Sequence, residues 1–181
     1  AAGGIARTFQ NIALFKGMTV LENIQTGRCL MNKASVLSQA FRLAKSRRED
    51  DESREKAEEL LEFLEIQAIR KTSVGQLSYG LQKRVELGRA LAAEPKCLLL
   101  DEPMAGMSPD EKQDMTRFIL QAKEEYGMTV VLIEHDLGVV MDISDHVIVL
   151  DYGRKIADGI PEEIKRDQKV IDAYVGKNTD I

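Results

Sequence analysis

Leu98-Leu99-Leu100-Asp101-Glu102-Pro103 is the most informative segment of the sequence, because an apolar run ends there in two adjacent carboxylates. A short, continuously apolar run is typical of a strand buried on both faces of a parallel sheet. Such a strand brings the residues that follow it to the carboxyl edge of the sheet, where ligands of parallel sheets bind. The stretch therefore predicts an α/β fold with Asp101 and Glu102 at the binding edge.

Two interpretations of this acid pair are open from the stretch alone. One carboxylate could hold Mg²⁺, which prefers oxygen ligands, while the other polarises a water for attack on phosphorus. Alternatively, an acid after a core strand simply caps the next helix. The stretch by itself favours neither interpretation.

Further strands and helices are predicted on both sides of this stretch. Apolar or alternating segments predict strands at Ile5 to Gln10, Thr129 to Ile133 and His146 to Leu150, the last returning as a hairpin through Arg154 to Ala157. Because strands of this kind alternate with helices, we expect a parallel sheet covered on both faces.

Helix signals fill the intervals between the predicted strands. A helical zone extends roughly from Val20 to Ile69. Within it, a helix is predicted to begin at the acidic run Glu49-Asp50-Asp51-Glu52, because negative side chains are stabilised at the positive N-terminal end of the helix dipole. Ser78 is predicted to cap another helix, and Pro109 suits the first turn of a helix that stops at Gly127.

Two other segments carry groups that could bind phosphate. Leu77-Ser78-Tyr79-Gly80 places a hydroxyl and a glycine at a helix start, which is a potential anion site, although for this segment alone an ordinary serine cap is the better explanation. Glu134-His135-Asp136 places a histidine after a strand, where a single histidine is more often structural than catalytic, although it could donate to a phosphate oxygen. We interpret His146, inside the last strand, as structural.

The four motifs in this order are more specific for one protein family than any single motif is. Gln10 after a strand, Leu-Ser-Tyr-Gly at a helix start, Leu-Leu-Leu-Asp-Glu-Pro and Glu-His-Asp follow in this order, and this succession resembles the ATPase subunit of ABC transporters over essentially the whole chain. The resemblance implies a partial P-loop NTPase fold, a RecA-like parallel sheet with a helical insert. It implies one domain over 1–181, with a helical subdomain at 20–88 ending in the signature motif and a catalytic core at 1–19 and 89–181.

The resemblance also implies catalytic and metal-binding roles. Glu102 matches the catalytic glutamate and Asp101 the Walker B aspartate that lies near magnesium. Gln10 matches the glutamine that contacts the magnesium and the attacking water, and His135 matches the histidine that contacts the γ-phosphate.

Nucleotide-binding roles follow from the resemblance in the same way. The signature motif, which closes on an ATP held by the opposite subunit, matches Leu77, Ser78, Tyr79 and Gly80. Ala105-Gly106-Met107-Ser108 matches the D-loop, which reaches the partner subunit, and this adds Ser108 to the cofactor-binding residues. The implied cofactors are ATP and Mg²⁺. The implied partners are a second ABC ATPase subunit and transmembrane permease subunits, on the cytoplasmic face of the cell membrane without insertion into it.

A subgroup is indicated by segments outside the catalytic motifs. Arg7-Thr8-Phe9-Gln10-Asn11, the insert through Leu64, Gly153 to Gly159 and Ala173-Tyr174-Val175-Gly176 resemble the importers of branched-chain amino acids and their urea-type relatives. These segments are expected to serve coupling and packing, because the transported molecule contacts other subunits.

Some residues depart from the family pattern. Leu81 stands where the signature commonly has Gln, and Ser108 where the D-loop commonly has Asp or Asn. No Walker A loop is present: Gly75 and Gly80 have its glycine spacing, but Leu81-Gln82 occupy the required Lys and Ser/Thr positions. We therefore expect the chain to be N-terminally incomplete and inactive by itself.

Composition limits the alternatives. The net charge of −5 and the absence of Trp argue against a nucleic-acid surface, and so against an ABC ATPase that acts on ribosomes or DNA. Two distant cysteines are simplest in a reduced compartment. The alternative from another class is a non-catalytic interaction module that supplies only the signature half-site to a complete partner.

Overall fold

A computed structural model describes residues 3–8, 12–28 and 44–175, and the chain divides into two compact units, Ala1–Ile133 and Glu134–Ile181. The elements of the first unit are β1 (Ile5–Arg7), α1 (Val20–Thr26), α2 (Ala44–Phe63), α3 (Tyr79–Leu91), β2 (Cys97–Asp101), α4 (Pro109–Tyr126) and β3 (Thr129–Ile133). Those of the second unit are α5 (Leu137–Ile143), β4 (Val147–Asp151), β5 (Arg154–Gly159), α6 (Pro161–Ile164) and α7 (Gln168–Val175).

The first unit contains the parallel sheet that the sequence predicts. Its strand order is β1-β2-β3, so the strand that ends in the two acids lies at the centre. Both neighbours run parallel to β2, with Arg7 opposite Leu99 and Asp101 opposite Ile133. The side chains of Leu98 and Leu100 are buried. The α/β class and the parallel sheet are thereby confirmed.

Strand β3 differs from its prediction. A strand covered on both faces was expected there, but Val131 is 46% exposed and Ile133 is 58% exposed. Within the described residues, β3 is hydrogen-bonded on one side only, to β2. An apolar strand at an edge keeps its side chains accessible on any face that no helix covers.

Three helices of the first unit share an apolar core. Their fully buried side chains are Ile24 in α1, Leu60 and Leu61 in α2, and Val85 in α3. Periodicity alone predicts this face, since Leu60, Leu61 and Leu64 recur at helical spacing. The division into a subdomain at 20–88 and a core at 1–19 and 89–181 stays a prediction.

Helix α2 begins earlier than the sequence predicts. The acidic run from Glu49 was expected to open the helix, whereas the helix already includes Ala44. Residues 44–48 are Ala, Lys, Ser, Arg and Arg, mostly strong helix formers, so the helix extends ahead of the acids. The acids therefore lie within the helix and not in its first turn.

Helix α4 has the boundaries that its local signals predict. Ser108 caps it with Glu111 in a reciprocal capping box, and Pro109 follows the cap. Gly127 ends the helix at a φ of 59°, in the left-handed region where glycine lacks a steric penalty. The helix thus starts at a fixed point directly after the segment that matches the D-loop.

Up to Val175, where the described residues end, the second unit is a hairpin with three short helices. Strands β4 and β5 pair antiparallel through a turn at Tyr152-Gly153, as predicted. Met141, Val147, Ile164 and Val170 form its buried apolar cluster. None of the helices in the described part of the chain is both long and apolar enough to cross a membrane.

Candidate functional site

Asp101 and Glu102 lie where the central strand ends. Asp101 is still paired with Ile133 of β3, and the Glu102 amide donates a 2.9 Å hydrogen bond to the Ile133 carbonyl. Glu102 has a φ of 46°, an uncommon conformation for a residue with a side chain, at a cost of about 1–3 kcal/mol. The backbone therefore leaves its extended path at Glu102, one residue beyond the last paired position of β2.

Strand β1 fixes the position of Asp101. Arg7 donates a 2.9 Å hydrogen bond from Nη2 to Oδ2 of Asp101, while Thr8 Oγ1 accepts from the Asp101 amide at 3.4 Å. Thr8 is buried, whereas the Arg7 side chain is 53% exposed. Asp101 is thus held through its backbone by a buried hydroxyl and through its side chain by an exposed cation.

The donor chemistry at Asp101 fits a magnesium ion. Its side chain is 23% exposed at the sheet edge. In the described residues, no group of three or more His, Cys, Asp or Glu side chains forms a metal cluster. Magnesium commonly binds through one or two carboxylates and completes its shell with water and substrate phosphates, which a single Asp101 carboxylate satisfies.

The Leu77-Ser78-Tyr79-Gly80 segment forms the start of α3. Ser78 is the N-cap, and its Oγ accepts a hydrogen bond from the Leu81 amide at 3.4 Å. This confirms the predicted capping role. A helix N-terminus also carries backbone N–H groups without intrahelical partners and the positive end of the helix dipole, which are the features of an anion site.

Gly80 is in close contact with α4. A Cβ atom at Gly80 would lie only 2.1 Å from Oε1 of Glu111, so a larger residue requires Glu111 to move. The other carboxylate oxygen, Oε2, accepts a 2.9 Å hydrogen bond from the Ser108 amide. The Glu111 carboxylate therefore joins the signature segment to the cap of α4.

A second contact joins the same two segments. Gly106 has a φ of 73°, and a Cβ atom there would lie 3.3 Å from Cε1 of the Tyr79 ring. The Lys83 ammonium lies 5.8 Å from the centroid of that ring, within cation–π range. The structure thus brings Tyr79 and Gly80 together with Gly106 and Ser108, which are distant in sequence.

His135 lies in the second unit, between β3 and α5. Its side chain is 71% exposed, and Nδ1 is 3.9 Å from Oε2 of Glu134, whose side chain is almost fully buried. The His135 carbonyl accepts a hydrogen bond from the Tyr174 hydroxyl. His135 is therefore an accessible imidazole on a backbone that is tied to α7.

The other histidine, His146, lies directly before β4 and not inside the strand as predicted, and it contacts β5. His146 Nε2 is 2.6 Å from Oδ1 of Asp158 on β5. Hydrogen bonds from Lys155 and then from His146 hold the pKa of the Asp158 carboxyl below its ordinary value. His146 is thus engaged within the hairpin.

The described residues do not include every predicted site residue. Gln10, expected near magnesium and the attacking water, lies outside them. Conversely, the sequence predicts no contact with a site residue for Thr8, Glu111 or Tyr174, although Thr8 and Tyr174 lie in the segments that indicate the subgroup. The Ser108-x-x-Glu111 capping-box spacing could have identified Glu111, whereas no local signal points to the partners of Thr8 and Tyr174.

Comparison with known families agrees with the geometry. The family model described as ABC transporter matches residues 1–105. A second model, described as Branched-chain amino acid ATP-binding cassette transporter, matches residues 154–179. The two matches lie at opposite ends of the chain and belong to the same class of protein.

Individual relatives are similar over nearly the whole chain. BraF of Pseudomonas aeruginosa, a high-affinity branched-chain amino acid transport ATP-binding protein, is 40% identical over 177 residues, which cover 98% of this chain and 69% of BraF. The probable LivG protein of Methanocaldococcus jannaschii, with the same transport function in its name, is 38% identical over 96% of this chain and 68% of its own length. A crystal structure of an ABC transporter ATP-binding cassette in its ADP conformation superposes with a TM-score of 0.77 at 35% identity, covering 97% of this chain and 70% of the other.

Proposed function

Because this chain belongs to the ABC transporter family of ATP-binding proteins, we propose that it is the ATP-hydrolysing subunit of an importer for branched-chain amino acids. One observation carries the catalytic part of this proposal. The central strand of a parallel sheet ends in Asp101 and Glu102, and Glu102 has a φ of 46° where its amide donates to the Ile133 carbonyl. The same backbone conformation occurs elsewhere in the chain, at Glu65, Glu94 and Tyr152. The support therefore comes from the position of Glu102 at the end of the central strand beside Asp101.

Glu102 is proposed to act on the attacking water. A carboxylate at the sheet edge can accept a proton from water or orient it toward the γ-phosphorus, and phosphoryl transfer depends mainly on such positioning and on charge stabilisation. Asp101 would hold Mg²⁺, which supplies positive charge to the phosphate oxygens when it is bound. Arg7 and Thr8 keep the Asp101 carboxylate at the edge where the nucleotide phosphates are expected.

The N-terminus of α3 is proposed to bind phosphate in trans. Ser78 and the first backbone amides of this 13-residue helix form a site for the γ-phosphate of an ATP held by a second subunit. Ser108 is proposed to reach the same partner. The Glu111 bridge between Gly80 and Ser108 supports this assignment, because it makes the two proposed cross-subunit segments one packed unit.

His135 is proposed to contact the γ-phosphate through its exposed imidazole. Gln10 is proposed to contact Mg²⁺ and the attacking water, and Leu77 and Tyr79 to line the nucleotide. The proposed assembly is a pair of ABC subunits attached to transmembrane permease subunits on the cytoplasmic side of the membrane.

The substrate assignment is supported by the relatives. BraF carries branched-chain amino acid transport in its name, and the family model matched at 154–179 carries it as well. The chain itself is not expected to contact the amino acid. Its C-terminal segment distinguishes the subgroup, as the Ala173-Tyr174-Val175-Gly176 motif predicts.

A reconstituted transporter tests this proposal. The full-length gene product is assembled in proteoliposomes with the permease and binding proteins encoded beside it, and ATP hydrolysis is measured with leucine, isoleucine, valine or urea. We expect the branched-chain amino acids to stimulate hydrolysis and urea to leave it unchanged. Stimulation by urea alone would move the protein to the urea-type subgroup, and hydrolysis that no transport substrate affects would refute the importer function.

A further inference from the structure

The His135 side chain is 71% exposed and lies in the short connection from β3 to α5, where its Nδ1 is 3.9 Å from Oε2 of Glu134. A contact to one phosphate oxygen requires a defined position of the imidazole. The course of the backbone at His135 is one determinant of that position.

Two side-chain hydrogen bonds hold this backbone. The Asp136 side chain caps α5 by accepting from the Val139 amide at 3.4 Å, which fixes the residue after His135. The Tyr174 hydroxyl donates to the carbonyl of His135 itself. The first hydrogen bond is local, while the second reaches the loop from α7, a helix near the far end of the second unit.

The Tyr174 side chain is 48% exposed and is packed on one side only. Its ring lines an apolar cleft of about 270 Å³ together with Leu137 and Met141 of α5 and Val170 of α7. Burial and then the nearby Asp136 and Glu134 carboxylates raise the pKa of the Tyr174 phenol above its ordinary value. The hydroxyl thus keeps its proton, and so remains a donor, throughout the neutral pH range.

We infer that Tyr174 is a positioning residue for His135: by holding the His135 carbonyl it sets the imidazole toward the γ-phosphate, and it makes this contact depend on the position of α7. This inference rests on the proposed role of His135. Tyr174 itself does not touch the nucleotide. The C-terminal helix therefore takes part in the hydrolysis step as well as in packing.

The decisive substitution is Tyr174→Phe, which removes the hydroxyl and keeps the ring in the cleft. Loss of one hydrogen bond typically costs about 0.5–1.5 kcal/mol, so we expect kcat for ATP hydrolysis by the full-length gene product to fall roughly twofold to tenfold, with KM nearly unchanged. Tyr152→Phe is the matched control, because Tyr152 is fully exposed at the hairpin turn. It is expected to have no effect.

A double-variant cycle separates positioning from stability. In the His135→Ala background, Tyr174→Phe is expected to cause no further loss of kcat, because the ring that it positions is absent. An equal fold-loss in both backgrounds would overturn the inference. If His135→Ala alone left kcat unchanged, the proposed role of His135 in hydrolysis would be wrong. The hydrogen bond from Tyr174 to the His135 carbonyl is then tested by a direct measurement.

That measurement is carbon-13 NMR of the 181-residue chain labelled at the His135 carbonyl. Tyr174→Phe is expected to shift this resonance and to speed amide exchange of the loop residues that follow it, whereas Tyr152→Phe changes neither. An unmoved carbonyl resonance with unchanged exchange would show that the hydroxyl does not hold the loop. This readout does not depend on ATP hydrolysis.

Discussion

The Arg7 guanidinium donates a 2.9 Å hydrogen bond to the Asp101 carboxylate across the β1–β2 pair. Arg7 lies opposite Leu99 in the ladder. Leu99 and Asp101 point to the same face of β2, because side chains alternate along a strand. Arg7 therefore reaches Asp101 diagonally, and the proposed magnesium ligand has a cationic neighbour that belongs to the sheet itself.

The two contacts to Asp101 are expected to differ in their contribution to stability. Arg7→Gln should lower the free energy of unfolding by less than about 1 kcal/mol, because a pair with a half-exposed arginine is weak. Thr8→Val removes a buried hydroxyl and leaves the Asp101 amide without its acceptor, so a loss of about 1–3 kcal/mol is expected. Urea unfolding of both variants checks this order, and a larger loss for Arg7→Gln would contradict it.

Glu102→Gln is expected to keep nucleotide binding and to slow ATP hydrolysis by at least about 10²-fold to 10⁴-fold, because the carboxamide keeps the shape but not the basicity. Turnover and nucleotide affinity of the full-length gene product are the measurements. Glu94→Gln is the matched control, since Glu94 has the same φ of 46° but pairs with Arg28. Hydrolysis near the parent rate in Glu102→Gln would refute the assignment of the base.

Gly80 and Glu111 are expected to be energetically coupled. In a Glu111→Ala background, Gly80→Ala should stabilise the protein by about 0.5–1 kcal/mol, as alanine does in a helix. In the parent protein, Gly80→Ala displaces Glu111 from its capping box. Loss of this cap lowers the free energy of unfolding by about 0.5–2 kcal/mol, which cancels the stabilisation by alanine. Thermal or urea unfolding of the four proteins gives the coupling, and additive effects would show that the close approach carries no energy.

The sequence predicts those parts of the fold that local signals determine. Pro109 and Gly127 mark the ends of α4 because a fixed φ and a left-handed cap are properties of single residues. The apolar run before Asp101 predicts its strand because burial on two faces leaves no polar positions. Asp101 and Glu102 follow directly from that strand, so their place at the sheet edge was predictable as well.

The contacts that complete the site depend on topology instead. Arg7 and Asp101 are separated by 94 positions, and Tyr174 and His135 by 39, so neither pair has a local pattern. The exposure of Ile133 was missed for a related reason: an apolar sequence shows that a strand prefers to be covered, not which neighbours cover it. Helix α2 begins before Glu49 because favourable helix formers outweigh a single charge signal.

The two histidines are expected to respond differently to removal of the imidazole. His135→Ala should impair ATP turnover with little change in stability, because its side chain is exposed and the imidazole is proposed to contact phosphate. His146→Ala should lower stability with little change in turnover per folded molecule, because it breaks the contact to Asp158 on β5. Turnover and unfolding measured together on both variants decide this, and the reverse pattern would exchange the two roles.

The 181-residue chain is expected to self-associate through its exposed apolar strands. On β3, Val131 is 46% exposed and Ile133 is 58% exposed, and on β4 the exposure of Leu150 reaches 66%. Open strand edges with apolar side chains recruit further strands, while lysine at such an edge blocks pairing. The double variant Ile133→Lys/Leu150→Lys should therefore be more monomeric than the parent, as measured by light scattering after size exclusion. Phe15→Lys is the control, because Phe15 is an exposed apolar residue outside the strands, and it should not change the association. A parent chain that stays monomeric at high concentration would show that these strands do not recruit a second copy.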